Sequence, residues 1–219
     1  MTPYRVLAGE TRLLYRPIGL RLVDEFTGAG PLGHVRAMLD RQNDTGDWHK
    51  TDVRPVVTTG GVLIYPGLER RAEPASLPPR RYRVRIEADF YRPFYGALLE
   101  GIEFDAFPYN DTTPPATVAS MPQAELLVPS SEYPFQPHVR VLRGVVMHAG
   151  APVANVLVSQ GGLERVLTDE RGTYALPLRW ATEGLPFLVD ALDQRTGRTG
   201  AKPITLPQDL GMNQEIIIN

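Results

Sequence analysis

"TDERGTYALPL", residues 168–178, is the stretch on which the fold reading turns. Thr168 and Asp169 carry oxygens that can accept from turn amides, and Gly172 can take positive φ at no steric cost. Thr173, Tyr174, Ala175 and Leu176 then follow with strand-like spacing. The expectation is a hairpin with a tight turn at Arg171-Gly172. Alternation sends Tyr174 and Leu176 to one face, Thr173 and Ala175 to the other. Tyr174 is expected in the core with its hydroxyl near an edge. Thr168, Asp169, Gly172 and Tyr174 are therefore read as a structural turn, not as a ligand site.

Similar short runs recur on either side. They span 19–23, 35–39, 62–65, 82–88, 139–147, 153–159, 164–167, 173–178, 187–191 and 215–218. Helical periodicity is nearly absent, and 20 glycines and 21 prolines punctuate the runs. Many short strands at turn-bounded spacing predict an all-β chain of sandwich type. Residues 58–68, "TTGGVLIYPGL", resemble 168–178, and each is preceded by a turn of Gly and Pro ("GPLG" at 30–33, "GAP" at 150–152) with a hydrophobic strand and followed by an apolar alternation. This faint repeat points to duplication of a sandwich. Between 105 and 138 the prolines at 108, 114, 115, 122, 129, 134 and 137 deny a mostly sheet structure. The expected organisation is two tandem Ig/transthyretin-like β-sandwiches, at 1–104 and 139–219, joined by a Pro-rich extended connector at 105–138.

The second half carries a family resemblance. "RGVV" (143–146), "GAPVANVLV" (150–158), "TDERGTYALPL", "FLVDA" (187–191) and "NQEIIIN" (213–219) resemble the carboxypeptidase regulatory-like domain, a transthyretin-like or prealbumin-type sandwich. Residues 15–95 resemble it more loosely. The resemblance implies a non-catalytic structural or binding module. A thinner one rests on "ELLVPSSEYPFQPHVRVLRGVV" (125–146), which is similar to accessory proteins of contractile, phage-tail-like injection particles.

Bulk composition narrows the function classes. With 23 basic and 25 acidic residues, net −2, there is no bulk attraction to nucleic acid or anionic membrane. Without cysteine there is neither a disulfide framework nor a thiolate. No apolar run approaches the ~20 residues of a membrane span. The opening "MTPYRVLAGETRLLYRPIGL" lacks the features of a secretory signal, so the expected location is the cytoplasm or a particle assembled there.

Catalytic and metal chemistry finds little support. "DWHKTD", with Asp47, His49 and Asp52, offers cation ligands in principle, but reads as a solvated loop with Trp48 folded onto the sandwich. No serine lies in a Gly-x-Ser-x-Gly elbow. Glu87 and Asp89 share a strand face, which reads as a solvent face. Arg70-Arg71 and Arg80-Arg81 flank a loop and could meet phosphate or an acidic partner; solvated loop ends are the plainer reading. Lys50 and Lys202, the only lysines, are expected in loops. No catalytic, metal or cofactor residue is assigned, and the chain is expected not to be an enzyme.

The strongest functional signal is aromatic. Residues 89–109 hold Phe90, Tyr91, Phe94, Tyr95, Phe104, Phe107 and Tyr109 around Arg92, and adjacent pairs such as Phe90-Tyr91 cannot both point inward on a strand. Tyr, Phe and Arg anchor interfaces. Phe90, Tyr91, Arg92, Phe94, Tyr95, Phe107, Tyr109, Tyr133 and Phe135 are the candidate protein-interaction residues, with packing between domains as the competing reading. The expected partners are other protein subunits. The alternative function is a carbohydrate- or small-ligand-binding module in which Trp48, Trp180 and exposed tyrosines act as stacking platforms.

Overall fold

The computed structural model describes residues 14–74, 77–93, 95, 100–118 and 121–219. Their regular structure is strand throughout, apart from one 3-10 turn at Gln208–Gly211. In chain order the strands are β1 (Gly19–Asp24), β2 (Val35–Gln42), β3 (Trp48–Lys50), β4 (Val56–Val57), β5 (Val62–Ile64) and β6 (Arg80–Ala88). Then come β7 (Tyr91–Pro93), β8 (Ile102–Ala106), β9 (Gln123–Pro129), β10 (Val141–His148), β11 (Ala151–Pro152) and β12 (Leu157–Gln160). The last are β13 (Glu164–Leu167), β14 (Thr173–Pro177), β15 (Phe187–Asp193), β16 (Arg198–Ile204) and β17 (Gln214–Ile217). The all-β expectation holds. Lys50 and Lys202 lie in β3 and β16 rather than in loops.

The chain divides into two compact units. One comprises residues 1–21, 38–84 and 103–123; the other comprises 22–37, 85–102 and 124–219. They alternate along the sequence, so their limits do not coincide with 104/105 and 138/139. The proline-rich stretch contributes to both: Tyr109 is 1% exposed in the first unit and Tyr133 is 6% exposed in the second. It also supplies strand β9.

In the first unit, β4, β5 and the start of β1 form one antiparallel ladder, and β3, the latter part of β2, the first part of β6 and most of β8 belong to a second sheet of order β3-β2-β6-β8. Leu20, Leu39, Tyr65 and Val84 are fully buried. Arg83 donates from Nε (3.2 Å) and Nη2 (3.0 Å) to Asp40, and its guanidinium lies 4.6 Å from the Trp48 ring centre. A buried cation is thereby matched by a carboxylate and an aromatic face.

In the second unit, β9 is flanked by β7 and the end of β1, with Glu25 N donating to Leu127 O at 3.2 Å. Two further sheets enclose one core. In the first, β10 pairs antiparallel with β11 and β14 and parallel with β17. The second has the order β13-β12-β15-β16. Leu142, Val146, Tyr174, Leu176 and Ile216 meet Val158, Val166, Val189, Ala191 and Ile204 between them. Burial of such side chains contributes roughly 1.5–3 kcal/mol each.

A glycine closes this sandwich. Gly144 is paired with Tyr174 on one side and Gln214 on the other. A Cβ there would collide with Gln214 O and the Tyr174 ring. Tyr174 lies across the vacant space, and its hydroxyl donates to Gln214 O at 3.2 Å. Gly200 plays the same part where β16 crosses β17: a Cβ would strike the Ile217 carbonyl.

The expected hairpin at 168–178 is corrected. β13 and β14 flank the turn but belong to different sheets, so the segment is an arch that carries the chain across the core. Gly172 has φ +70°, and its N–H donates to Asp169 O at 3.0 Å while Asp169 N donates to Thr173 O at 3.0 Å. The same bonds form one turn of the first unit, where Gly61 (φ +72°) donates to Thr58 O and Thr58 N donates to Val62 O, both at 2.9 Å. There the flanking strands do pair, Val57 opposite Leu63. What diverts the second turn is Thr168: its N–H donates to Val156 O and its hydroxyl donates to Val153 O at 2.8 Å, drawing the incoming chain towards β12. Thr168 Oγ1 also accepts from Val156 N at 2.9 Å. Ala175, expected on the outer face, is fully buried along with Tyr174 and Leu176, so β14 is covered on both sides.

Gly144→Ala is expected to lower stability by about 3 kcal/mol or to prevent folding. Gly30→Ala, where a Cβ meets nothing within 4 Å, is expected to be near neutral. Thermal melts of the two variants beside the parent check this.

Candidate functional site: a charged cleft beside the arch

The turn of the arch forms one wall of a cleft of about 580 Å³ in the second unit. Asp169, Glu170 and Arg171 face the end of β6 (Ile86 to Asp89), β7 (Tyr91 to Pro93), Ser130 and Glu132. Five carboxylates and two guanidinium groups thus line it.

Most of these charges are held by their own surroundings. Asp169 accepts from Arg171 N (2.8 Å), Thr173 N (2.9 Å), the Thr173 hydroxyl (2.5 Å) and the Ser131 hydroxyl (2.7 Å). Burial by itself would raise its pKa, but the Thr173 and Ser131 hydroxyls and the two amides outweigh it and hold Asp169 below the ordinary value. Glu170 is lowered by its hydrogen bond from Arg92, with which it forms an ion pair. Asp89 accepts from His34 N at 2.9 Å. Carboxylates held ionised are poor proton donors near neutrality. The wall suits recognition of a polar or cationic group better than proton transfer. Glu87 and Asp89, expected on one strand face, both line this cleft.

The aromatic candidates separate by unit. In the second, Tyr133 is the centre of a cluster with Tyr91 (5.4 Å between ring centres), Phe135 (4.6 Å) and Phe26 (5.6 Å). Its hydroxyl donates to Asp24 Oδ2 at 2.7 Å. Burial, followed by the Asp24 carboxylate, pushes the phenol well up. Arg179 covers the Phe26 ring at 4.0 Å. Tyr91 accepts from Leu32 N at 2.8 Å. Phe90 packs on the bare Cα of Gly33, where a Cβ would stand 2.7 Å from the ring. The Tyr95 hydroxyl accepts from Ile86 N at 2.5 Å, and Arg92 holds Glu170. In the first unit, Tyr109 packs edge-on against Tyr15 at 5.1 Å. Phe107 lies in a shallow recess with Tyr15, Pro17 and Leu68. Phe94 lies outside the described residues.

Tyr91, Tyr109 and Tyr133 are therefore packing residues within their own units, while Phe90, Arg92, Tyr95, Phe107 and Phe135 stay half-exposed. Sequence reasoning missed Phe26 and Asp24, which complete the Tyr133 cluster. The available signal was "VDEFTG" (23–28), whose Asp and Gly mark a turn able to fold a neighbouring aromatic inward.

The remaining candidates resolve into local structure. Asn43, Thr45 and Asp47 close a polar turn by hydrogen bonds among themselves, and His49 Nε2 lies 2.9 Å from Asn43. No group of three or more His, Cys, Asp or Glu among the described residues could hold a metal ion. Each flanking arginine meets a carboxylate: Arg70 with Asp111, Arg71 and Arg80 with Glu69, Arg81 with Glu103. His148 is half-buried, with Nδ1 2.8 Å from Ile218 O.

One buried titratable group lies apart from the cleft. Glu125 on β9 is 6% exposed, and its Oε1 has no hydrogen-bond partner. Burial raises its pKa to about 7. A carboxyl raised from its ordinary 4.5 binds its proton more tightly in the folded chain. Stability therefore falls as pH rises from 4.5 to about 7 and is flat above. Glu125→Gln is expected to gain about 2 kcal/mol, ~5 °C in Tm, at pH 8 and nothing at pH 4.5. Melts of both proteins at the two pH values check it. Separately, Asp169→Ala, which removes four accepted hydrogen bonds, is expected to cost about 2–3 kcal/mol in urea titration at pH 7.

Comparison of the chain with protein-family models, with curated proteins and with solved structures finds no match to any of the three.

Proposed function

We propose that this chain is a non-enzymatic component of a multiprotein assembly. It is built on carboxypeptidase regulatory-like, transthyretin-type sandwiches in tandem and held by partner subunits such as those of a contractile, phage-tail-like injection particle. The observation that carries the reading is the apolar exposure of the proline-rich stretch. Val118 (44%), Met121 (80%) and Leu126 (38%) show their side chains to solvent, although β9 anchors the segment between paired strands. Solvated linkers seldom carry such residues, and interface cores do. An open strand edge adds to it: β4 ends its sheet and exposes Val56 and Val57, a template for strand addition. The repeated turn at Thr58 and Asp169 supports duplication of one ancestral sandwich. Meanwhile Asp89, Arg92, Asp169 and Glu170 of the cleft are engaged internally, which favours binding over catalysis.

The test is size-exclusion chromatography with light scattering on lysate of the cell that makes the protein. The 24.3 kDa chain is expected in a high-mass fraction with defined companions, and Met121→Asp/Leu126→Asp is expected to elute free. Elution of the parent chain at its own mass would sink the assembly reading and turn attention to Trp180, 66% exposed, as a glycan platform.

A further inference from the structure

One end of the sandwich formed by β10 to β17 gathers exposed apolar side chains. Three connections meet there: Gly161 to Leu163 between β12 and β13, Leu178 to Pro186 between β14 and β15, and Thr205 to Asn213 between β16 and β17. The register places them together. Val141, opening β10, lies opposite Pro177 at the end of β14. Phe187, opening β15, lies opposite Ile204 at the end of β16, and Gln160 at the end of β12 lies opposite Glu164, which opens β13. Gly184 N donates to Leu206 O at 3.1 Å, joining two of the connections directly. On this end stand Leu163 (65% exposed), Trp180 (66%), Leu185 (63%) and Met212 (56%), and Leu188 (55%) follows on the outward face of β15, opposite Pro203.

The loops that present them are braced. Arg140 donates to Ala181 O at 2.8 Å and to Glu183 at 3.0 Å. Arg179 holds Glu164 through Nε (2.5 Å) and Nη2 (3.0 Å). Asp209 accepts from Thr205 N at 2.6 Å. Arg179, Glu183 and Asp209, the charged residues within the three connections, are thus each engaged inside the protein. Each charge of the connections has a partner within the protein, and Glu183, 66% exposed, is paired with Arg140, so no run of one sign stands there to attract a polyanion or an anionic membrane or to repel a second copy.

At roughly 200 Å² for a large side chain, five residues each more than half exposed offer on the order of 600 Å². That reaches the top of the range for the largest patch on a monomer, ~300–600 Å², and approaches the ~800 Å² each partner supplies to a standard interface. Pro186, Pro203 and Pro207, all exposed, border the patch and extend it towards that size.

We propose that this end of the sandwich is a self-association face, at which a second copy of the chain docks end to end through Trp180, Leu185, Leu188, Leu163 and Met212. The contact is isologous: each copy buries the same neutral apolar surface against its mate. Trp180 is the anchor, being the largest side chain on the end and carried by a braced loop. The proposal rests on the assembly reading above and names one contact within it.

Sedimentation velocity on the purified full chain over a wide concentration range is the test. The parent is expected to pass from 24.3 kDa to twice that mass. Trp180→Ser is expected to raise the midpoint concentration by roughly thirtyfold or more, and Leu185→Ser to raise it less. Ile217→Ser alters a residue 55% exposed at the far end of β17 and is expected to leave the midpoint unchanged. With Trp48→Phe leaving Trp180 as the sole tryptophan, emission is expected to shift to the blue across the same range.

A parent that stays monomeric throughout, a dimer indifferent to Trp180→Ser, or equal loss with Ile217→Ser would overturn the proposal. The lysate experiment separates the two failures. A monomer in isolation that still elutes with companions refutes the end-to-end contact alone. A Trp180-dependent dimer that elutes without companions refutes the multiprotein reading alone.

Discussion

Three strands of the second unit are fastened at the place where one residue has no side chain. Gly144 sits on β10 between Tyr174 and Gln214. The tyrosine ring fills the space a Cβ would take and reaches beyond it to hydrogen-bond the next strand. The ring supplies the packing that glycine lacks, and the hydroxyl satisfies a buried carbonyl that water cannot reach. Both sheets depend on this knot. β10 is the central strand of its sheet, and β17 runs on to the crossing at Gly200 that ties it to β16 in the other.

How much of this was legible follows from what each signal encodes. Turn chemistry was readable at Asp169 and Gly172 because positive φ and a short oxygen-bearing side chain are local requirements. The destination of the next strand was not, since hairpin and arch use the same turn and differ only in whether Thr168 bonds towards β12. The sequence runs missed β3, β4, β7, β8, β9, β11 and β16, and two of these have a clear physical reason. β9 is hidden among prolines, although Pro129 falls at its end, where the missing N–H does little harm. β16 (RTGAKPI) carries Gly200 and Pro203 in a short alternating run at the margin of its sheet. In the candidate site, the aromatic types were visible in the sequence, but which of them sink and which remain at the surface depends on distant partners such as Asp24, Leu32 and Gly33.

The two matched turns also differ in chemistry. Thr58 caps its turn with a hydroxyl that donates no charge, accepting from Val62 N at 3.1 Å. Asp169 caps the other with a carboxylate whose pKa is held down by the bonds it accepts. Acid reaches only the second. Protonation removes acceptor strength from the arch that carries the chain across the core while leaving the Thr58 turn as it was.

The parallel partnership of β10 with β17 carries a consequence for synthesis. β10 can pair with β11 and β14 as soon as those segments emerge, but its other edge, and with it the Tyr174 anchor on Gln214, stays open until the segment at 214–217 has left the ribosome. Through that interval the nascent chain presents an unpaired strand edge beside a half-closed apolar core, the state in which strands recruit neighbours of the wrong chain. Closure is a contact between residues far apart in sequence, so it is also the slow kind. The vulnerable period of this protein lies in its making.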